Sequence, residues 1–223
     1  MNISPGLFSS DFTLLANLLS IAVLVLALFF IHWRALFEDT RIQHVLGLCS
    51  VSLMAGWMIR AGISDGLGIH FYLITALHLL LGWQLAIWVA CAAMIGTIFA
   101  GVETWDGFGI NMLVAVITPL LTNYVIWKLH DMSSNHNPFS FIFLVACLGA
   151  ACSVVTGGLM MTAMLVSQEV YALKTVIEQF WIYLPLIALP EATINGLIIT
   201  VLIVYHPEWV RLFDQKRYFG DRF

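Results

Sequence analysis

The 223 residues are 61% hydrophobic and 10% charged, with a net charge of −4 and a mean hydropathy of +0.95. A soluble domain carries roughly 45–50% apolar and about 25% charged residues. The composition therefore excludes an ordinary soluble domain and predicts an all-α integral membrane protein. No basic patch is present, which argues against nucleic acid and leaves the lipid bilayer as the expected partner. Cys49, Cys91, Cys147 and Cys152 lie inside apolar runs without CxxC spacing and read as small buried hydrophobes.

Taken in chain order, the N-terminus does not read as a signal peptide. Asp11 precedes the first apolar run and the first basic residue, Arg34, follows it. Runs suited to spanning helices cover residues 12–31, 45–59, 110–127, 139–166 and 180–205. Residues 69–100 are too many for one span and few for two, and Gly82-Trp83-Gln84 in their middle is a candidate turn. Charge decides between six spans and seven, because cytoplasmic loops carry the excess of Lys and Arg. With seven spans and the N-terminus outside, Arg34, Arg41, Lys128, Arg211, Lys216, Arg217 and Arg222 are cytoplasmic. Only Arg60 and Lys174 are outside, seven against two. Six spans give three against six with the N-terminus outside, or six against three with it inside. The reading is a single polytopic domain over residues 1–223. It is a bundle of about seven transmembrane helices in a bacterial inner membrane, with the N-terminus outside and the C-terminus cytoplasmic.

Ionisable groups inside a span are costly and usually face a site or a partner. His32, His44, His130, His136 and His206 fall near cytoplasmic ends and read as interfacial. His70 opens the third span on the outer side. A helix starting there puts His78 two turns deeper, roughly on the same face. Neutral imidazole is a common ligand for transition metals, so both are candidate metal ligands. Glu103 and Asp106 add two carboxylates in the outer loop 101–107, for which a solvated loop is the plainer reading. Asn111, just inside the next span, can hydrogen-bond across helices. Glu191 follows Pro190 near mid-depth, with Asn195 one turn on. It suits either a proton or ion relay or a buried carboxyl that holds helices together. Gly157-Gly158 and Met160, Met161 and Met164 read as close packing and adaptable core, with a Met-lined path for a soft metal as the alternative.

Four segments, in order and at matching spacing, carry a resemblance. Met1-Asn2-Ile3-Ser4-Pro5-Gly6-Leu7-Phe8-Ser9 is similar to M-H-I-P-D-G-F-L-S. Gly68-Ile69-His70 with Gly82-Trp83 is similar to S-G-H-L-L-G-G followed by G-P-W. Residues 99–119, with Gly109-Ile110-Asn111 inside and Pro119 at the end, are similar to a segment that contains G-A-N. Pro190-Glu191-Ala192-Thr193 with His206-Pro207-Glu208 is similar to a closing G-E-A-x-x-T span and the proline beyond it. Together these resemble the CbiM/NikM family, the substrate-specific membrane subunit of energy-coupling-factor transporters for cobalt and nickel.

The resemblance implies about seven helices with the N-terminus outside. It also implies a metal site made from the N-terminal amine, the amide and side chain of residue 2, and the histidine of the third span. Those positions are Met1, Asn2 and His70. Methionine before a residue as bulky as asparagine is expected to escape removal, which would leave the amine of Met1 in place. An amine, a deprotonated amide and an imidazole favour Ni(II) or Cu(II). The departure is Asn2, which has no imidazole where the family has histidine. In addition, Pro5-Gly6 lacks the family's intervening aspartate, and Leu73-Ile74 replace the G-G pair.

Three outcomes fit. His78, Glu103 or Asp106 can rebuild the site for another metal such as zinc or copper. Nickel or cobalt can bind weakly. Or the chain is a paralogue serving as an accessory or structural subunit of a membrane assembly. The chain carries no G-x-x-x-x-G-K-[ST] motif, so energy coupling is expected from partners, a membrane scaffold subunit and ATPase subunits. No HExxH, paired-acid or nucleophile-elbow pattern points to an enzyme.

Overall fold

The computed structural model describes residues 2–3, 6–64, 67–133 and 136–219. Helix α1 (Ser10–Phe29) starts where the Ser9 hydroxyl accepts the Phe12 N–H. Its buried residues are Ala16, Ser20, Leu24 and Ala27, a mostly small stripe at helical spacing. Leu14, Leu15, Leu18, Leu19, Leu26 and Phe29 face outward. Such an unbroken apolar outer face suits hydrocarbon rather than water.

A short helix α2 (Trp33–Glu38) leads to α3 (Thr40–Met58), which Asp39 caps by accepting from the N–H groups of Arg41 and Ile42. The chain then forms β2 (Ala61–Ser64) and β3 (Leu67–Ile69). The N-terminal strand β1 (Asn2–Ile3) pairs antiparallel with β3, giving a small sheet in the order β1-β3-β2. This sheet is an addition to the otherwise helical fold. Strands of two to four residues leave no periodic signature in the sequence.

Helix α4 (Ile74–Leu81) begins four residues after His70. This corrects the expectation that His70 opens the third span. Residues 70–73 are not helical, so counting eight residues along a helix does not put His78 on the face of His70. The expected break at Gly82 is present. With φ +78 this glycine ends α4 and is followed directly by α5 (Trp83–Phe99). At its eight residues α4 is only about 12 Å long, and protein surrounds it.

Both ends of α4 are held by residues remote in sequence. At its start, Glu191 accepts from the N–H groups of Tyr72 and Leu73, and Asn195 accepts from that of Ala76. At its end, the Arg211 guanidinium donates to the Leu81 carbonyl. The backbone N–H groups of Arg211 and Leu212 donate to the carbonyls of Leu80 and Leu79. The carbonyls that the end of an isolated helix leaves unsatisfied are thus paired, and the helix has an acid before its positive end and a base at its negative end.

Helix α6 (Phe108–Asp131) widens to a π turn over Leu113–Ile117, just before Pro119, whose ring cannot donate to the preceding turn. It crosses α1 at Gly109, where a Cβ would run into the backbone of Ala16 and Asn17. Two hydrogen bonds tie the crossing: Gly109 N–H donates to Asn17 Oδ1 at 2.7 Å, and the Ser20 hydroxyl donates to the Gly109 carbonyl at 2.9 Å. Small residues at a membrane crossing let two backbones approach this closely. Gly109→Ala should therefore cost about 1–3 kcal/mol and lower the thermal midpoint in detergent. An unchanged midpoint would contradict this packing.

Helices α7 (Pro138–Ser167), α8 (Leu173–Gln179), α9 (Leu184–Tyr205) and α10 (Gln215–Phe219) follow. The Ser140 hydroxyl donates to the Asn137 carbonyl, so it accepts from His130 Nε2, and His130 Nδ1 in turn accepts from Tyr218. Burial and the neighbouring Asp131 push the Tyr218 phenol up to about 12, which keeps it a donor and holds α10 against α6.

Among the described residues, four helical segments are long and apolar enough to cross a membrane: Ser10–Phe29, Phe108–Asp131, Pro138–Ser167 and Leu173–Tyr205. Trp83–Phe99 is a shorter apolar helix. The protein is a helical, multi-pass membrane protein.

Candidate metal centre

Strand β3 runs into His70 just ahead of α4, and the N-terminal strand lies beside it. Strand register sets Asn2 opposite Gly68 and Ile3 opposite Leu67, so the N-terminal strand is laid beside the segment that runs into His70. Ile3 is buried, and its backbone is gripped from the other side by Asn111. The Asn111 side-chain oxygen accepts from the Ile3 N–H at 2.9 Å, and its amide nitrogen donates to the Ile3 carbonyl at 3.2 Å. This pair of bonds copies what a further strand would offer. These hydrogen bonds of Asn111 run to the backbone of the N-terminal strand.

The same Asn111 amide donates to Glu103 Oε2, while Glu103 Oε1 pairs with Arg60 at 3.0 Å. Arg60 also donates to the Val102 carbonyl. Glu103 is thereby committed to orienting Asn111 and offsetting the charge of Arg60. Asp106 is exposed and makes no hydrogen bond or ion pair among the described residues.

His70 is buried, and its Nδ1 lies 2.9 Å from the Phe71 carbonyl. A carbonyl only accepts, so Nδ1 carries the proton in this bond. Fixing one nitrogen against a backbone carbonyl is how proteins orient a ligating imidazole. The ring lies against Trp57 (5.3 Å between centroids) and Tyr72 (6.1 Å), and the Trp57 indole donates to the Tyr72 carbonyl. Leu73 sits at φ +56, a left-handed conformation unusual for a branched residue. Glu191, almost wholly buried, holds that turn by accepting from Tyr72 and Leu73 N–H and from the Asn195 side chain at 2.9 Å.

His78 has its own neighbours: it bonds to Asn123 and its ring packs near Tyr124 and Trp127. Met1 lies outside the described residues, and of Asn2 only the backbone is described. Among the described residues, no group of three His, Cys, Asp or Glu side chains is placed to hold a metal ion. A cavity of about 510 Å³ opens at the far end of α4, between Leu36, Arg41, Leu81, Gln84, Trp209 and Arg211, and none of the candidate residues lines it. Trp57 and Tyr72 carry no signal of a site in the sequence, and Arg60 stands out there only as a charge placed outside.

The arrangement defines a polytopic membrane protein whose N-terminal strand is tied into its core beside a buried histidine. Residues 2–209 match the family model described as the cobalt uptake substrate-specific transmembrane region, CbiM, and the chain belongs to that family. Two crystal structures share the fold. One, described as a truncated transition metal transporter, is 17% identical with a TM-score of 0.75, covering 92% of this chain and 100% of its own. The other, described as a transition metal transporter, is 17% identical with a TM-score of 0.72, covering 96% and 100%. At that identity they speak for the fold alone. No curated protein sequence matches the chain.

Proposed function

We propose that this protein is the membrane substrate-capture component of a transition-metal uptake transporter of the cobalt/nickel type. A single domain of about seven spans sits in a bacterial inner membrane, with the N-terminus outside and the C-terminus in the cytoplasm. A membrane scaffold subunit and ATPase subunits supply the energy. The observation that carries the reading is the double grip on the N-terminal strand, by β3 on one side and Asn111 on the other, next to an oriented imidazole. The N-terminal amine, a backbone amide and the His70 imidazole are the nitrogen donors in this reading. Nitrogen donors of this kind suit Ni(II), Co(II) or Cu(II), and Zn(II) less selectively. Asn2 contributes its backbone and not an imidazole, so affinity is expected below that of a site with histidine there.

In this reading Asn111 is a positioning residue. Asn111→Leu fills the volume but frees both polar groups of Ile3, so the N-terminal strand should loosen. Binding of Ni(II) or Co(II) should fall about 10–100-fold, with thermal stability reduced by about 1–3 kcal/mol. Titration calorimetry on the purified variant checks this, and wild-type affinity would remove Asn111 from the account.

A second reading is favoured by a specific observation. Asparagine stands at position 2, and no three-ligand group exists among the described residues. The protein is then a family-fold paralogue that serves as an accessory subunit of a membrane assembly. Absence of any transition metal from the purified protein, and of uptake on addition, would select it.

A further inference from the structure

The cavity of about 510 Å³ at the far end of α4 has a lining of two kinds. Part of it is charged: Arg41 and Arg211 bring two cations, and Asp39 and Glu208 bring two anions. The rest is largely apolar, from the ends of α1 and α4 and the starts of α3 and α5. A second cavity of about 300 Å³ adjoins it, and Ile31, Leu36 and Leu85 line both. The wall of the second is almost wholly apolar. Its Ser50 hydroxyl donates to the Leu46 carbonyl and its Trp33 indole to the Leu28 carbonyl, so neither is left for water. Trp88 belongs to the same wall, and its indole N–H is buried with no acceptor among the described residues. Helix α2, which supplies Leu36, is pinned at both ends. The Trp33 bond holds its start, and the Gln43 amide donates to the Leu36 and Phe37 carbonyls at its end.

The charged groups have capacity to spare. Arg211 gives one guanidinium N–H to the Leu81 carbonyl at 3.0 Å, which fixes the side chain and leaves its other donors. The Arg41 guanidinium makes no hydrogen bond or ion pair among the described residues. Such forks match the oxygens of a phosphate. Asp39 caps α3 through Oδ1 and Glu208 meets His206 through Oε1, so each keeps a second carboxylate oxygen. Two charges of each sign cancel. A purely anionic head would meet as many carboxylates as guanidiniums, whereas a head with a phosphate and an ammonium finds an opposite charge for each. A primary ammonium has three N–H groups for those carboxylates, and a trimethylated one has none.

We propose that the two adjoining cavities bind one phospholipid whose head is zwitterionic and carries a primary amine, of the phosphatidylethanolamine type. Its phosphate lies at Arg41 and Arg211, its ammonium at Asp39 and Glu208, and an acyl chain passes Leu36 into the apolar cavity. Bulk lipid meets an outward apolar face such as that of α1 with nothing to hold its head. Here a concave site offers both signs of charge at its mouth and an apolar continuation behind it, and its volume is within the range of about 300–1,000 Å³ usual for small-ligand sites. The bound lipid joins the α2–α3 corner to the turn after α9 that holds the end of α4. This stands apart from the metal reading and holds whether or not the chain carries an ion.

The test is native mass spectrometry of the purified full-length protein. It is equilibrated in detergent with equal amounts of phosphatidylethanolamine, phosphatidylglycerol and phosphatidylcholine of matched chains. Wild type should retain one phosphatidylethanolamine in preference to the other two. Arg41→Gln should weaken that retention about tenfold. Glycerophosphoethanolamine, the same head without chains, should not displace the lipid. Retention of no lipid, equal retention of all three, or an unchanged Arg41→Gln protein would overturn the proposal. Displacement by the chain-free head would assign the site to a free phosphoester and overturn it too. If Arg41→Gln does not fold, a photoreactive phosphatidylethanolamine decides on the wild type. Label should fall within residues 28–50 or 80–89, which line the two cavities. Label only elsewhere sinks the proposal, as does a cross-linker placed at Ile42 that captures a protein subunit and no lipid.

Discussion

His70→Ala should reduce Ni(II) or Co(II) affinity by about 100-fold or more, equivalent to roughly 2.7 kcal/mol, while leaving the fold intact. The imidazole follows directly on the strand that pairs with the N-terminal strand, and its Nδ1 proton is held by the Phe71 carbonyl. Removing it leaves donors from the chain's own backbone terminus, which chelate weakly alone. Its packing role is smaller, since Trp57 remains held by the Tyr72 carbonyl. Calorimetry in detergent, with circular dichroism to check folding, separates the two effects. Wild-type affinity in a folded His70→Ala protein would place the metal elsewhere.

Glu191→Ala should be the most damaging single change to stability. The carboxylate accepts three N–H groups in a site that water does not reach. Each orphaned donor costs about 1–3 kcal/mol, so the sum is on the order of 3 kcal/mol or more. The left-handed turn at Leu73 loses its clamp at the same time. The expected result is a sharp drop in folded yield and in thermal midpoint, with metal binding lost alongside. Glu191→Gln separates the two roles weighed for this residue. As a structural carboxyl it loses one acceptor, presents a donor to other donors, and the variant is destabilised. A proton or ion relay would instead give a stable Glu191→Gln protein that binds metal and fails only in uptake.

The sequence made the membrane class, the break at Gly82 and most spanning helices legible, because apolar runs and a positive-φ glycine are local signals. The start of α4 was not legible. It depends on Glu191 and Asn195, which lie more than a hundred residues away and cap backbone groups that any sequence would have. The helical spacing that joined His78 to His70 failed for that reason. The site was half legible. His70 and Asn111 stood out as polar residues at membrane depth. The register of Asn2 and Ile3 on β3, and the Arg60–Glu103 pair that braces Asn111, are tertiary and leave no pattern along the chain.

The measurement that bears most directly on the account is Ni(II) and Co(II) titration of the purified full-length protein, with its N-terminal amine open and again with that amine acetylated. Stoichiometric binding at micromolar metal is expected with the amine open, and its loss when the amine is blocked. Full affinity retained after acetylation in the His70→Ala background, or no binding by the unblocked wild type, would contradict it.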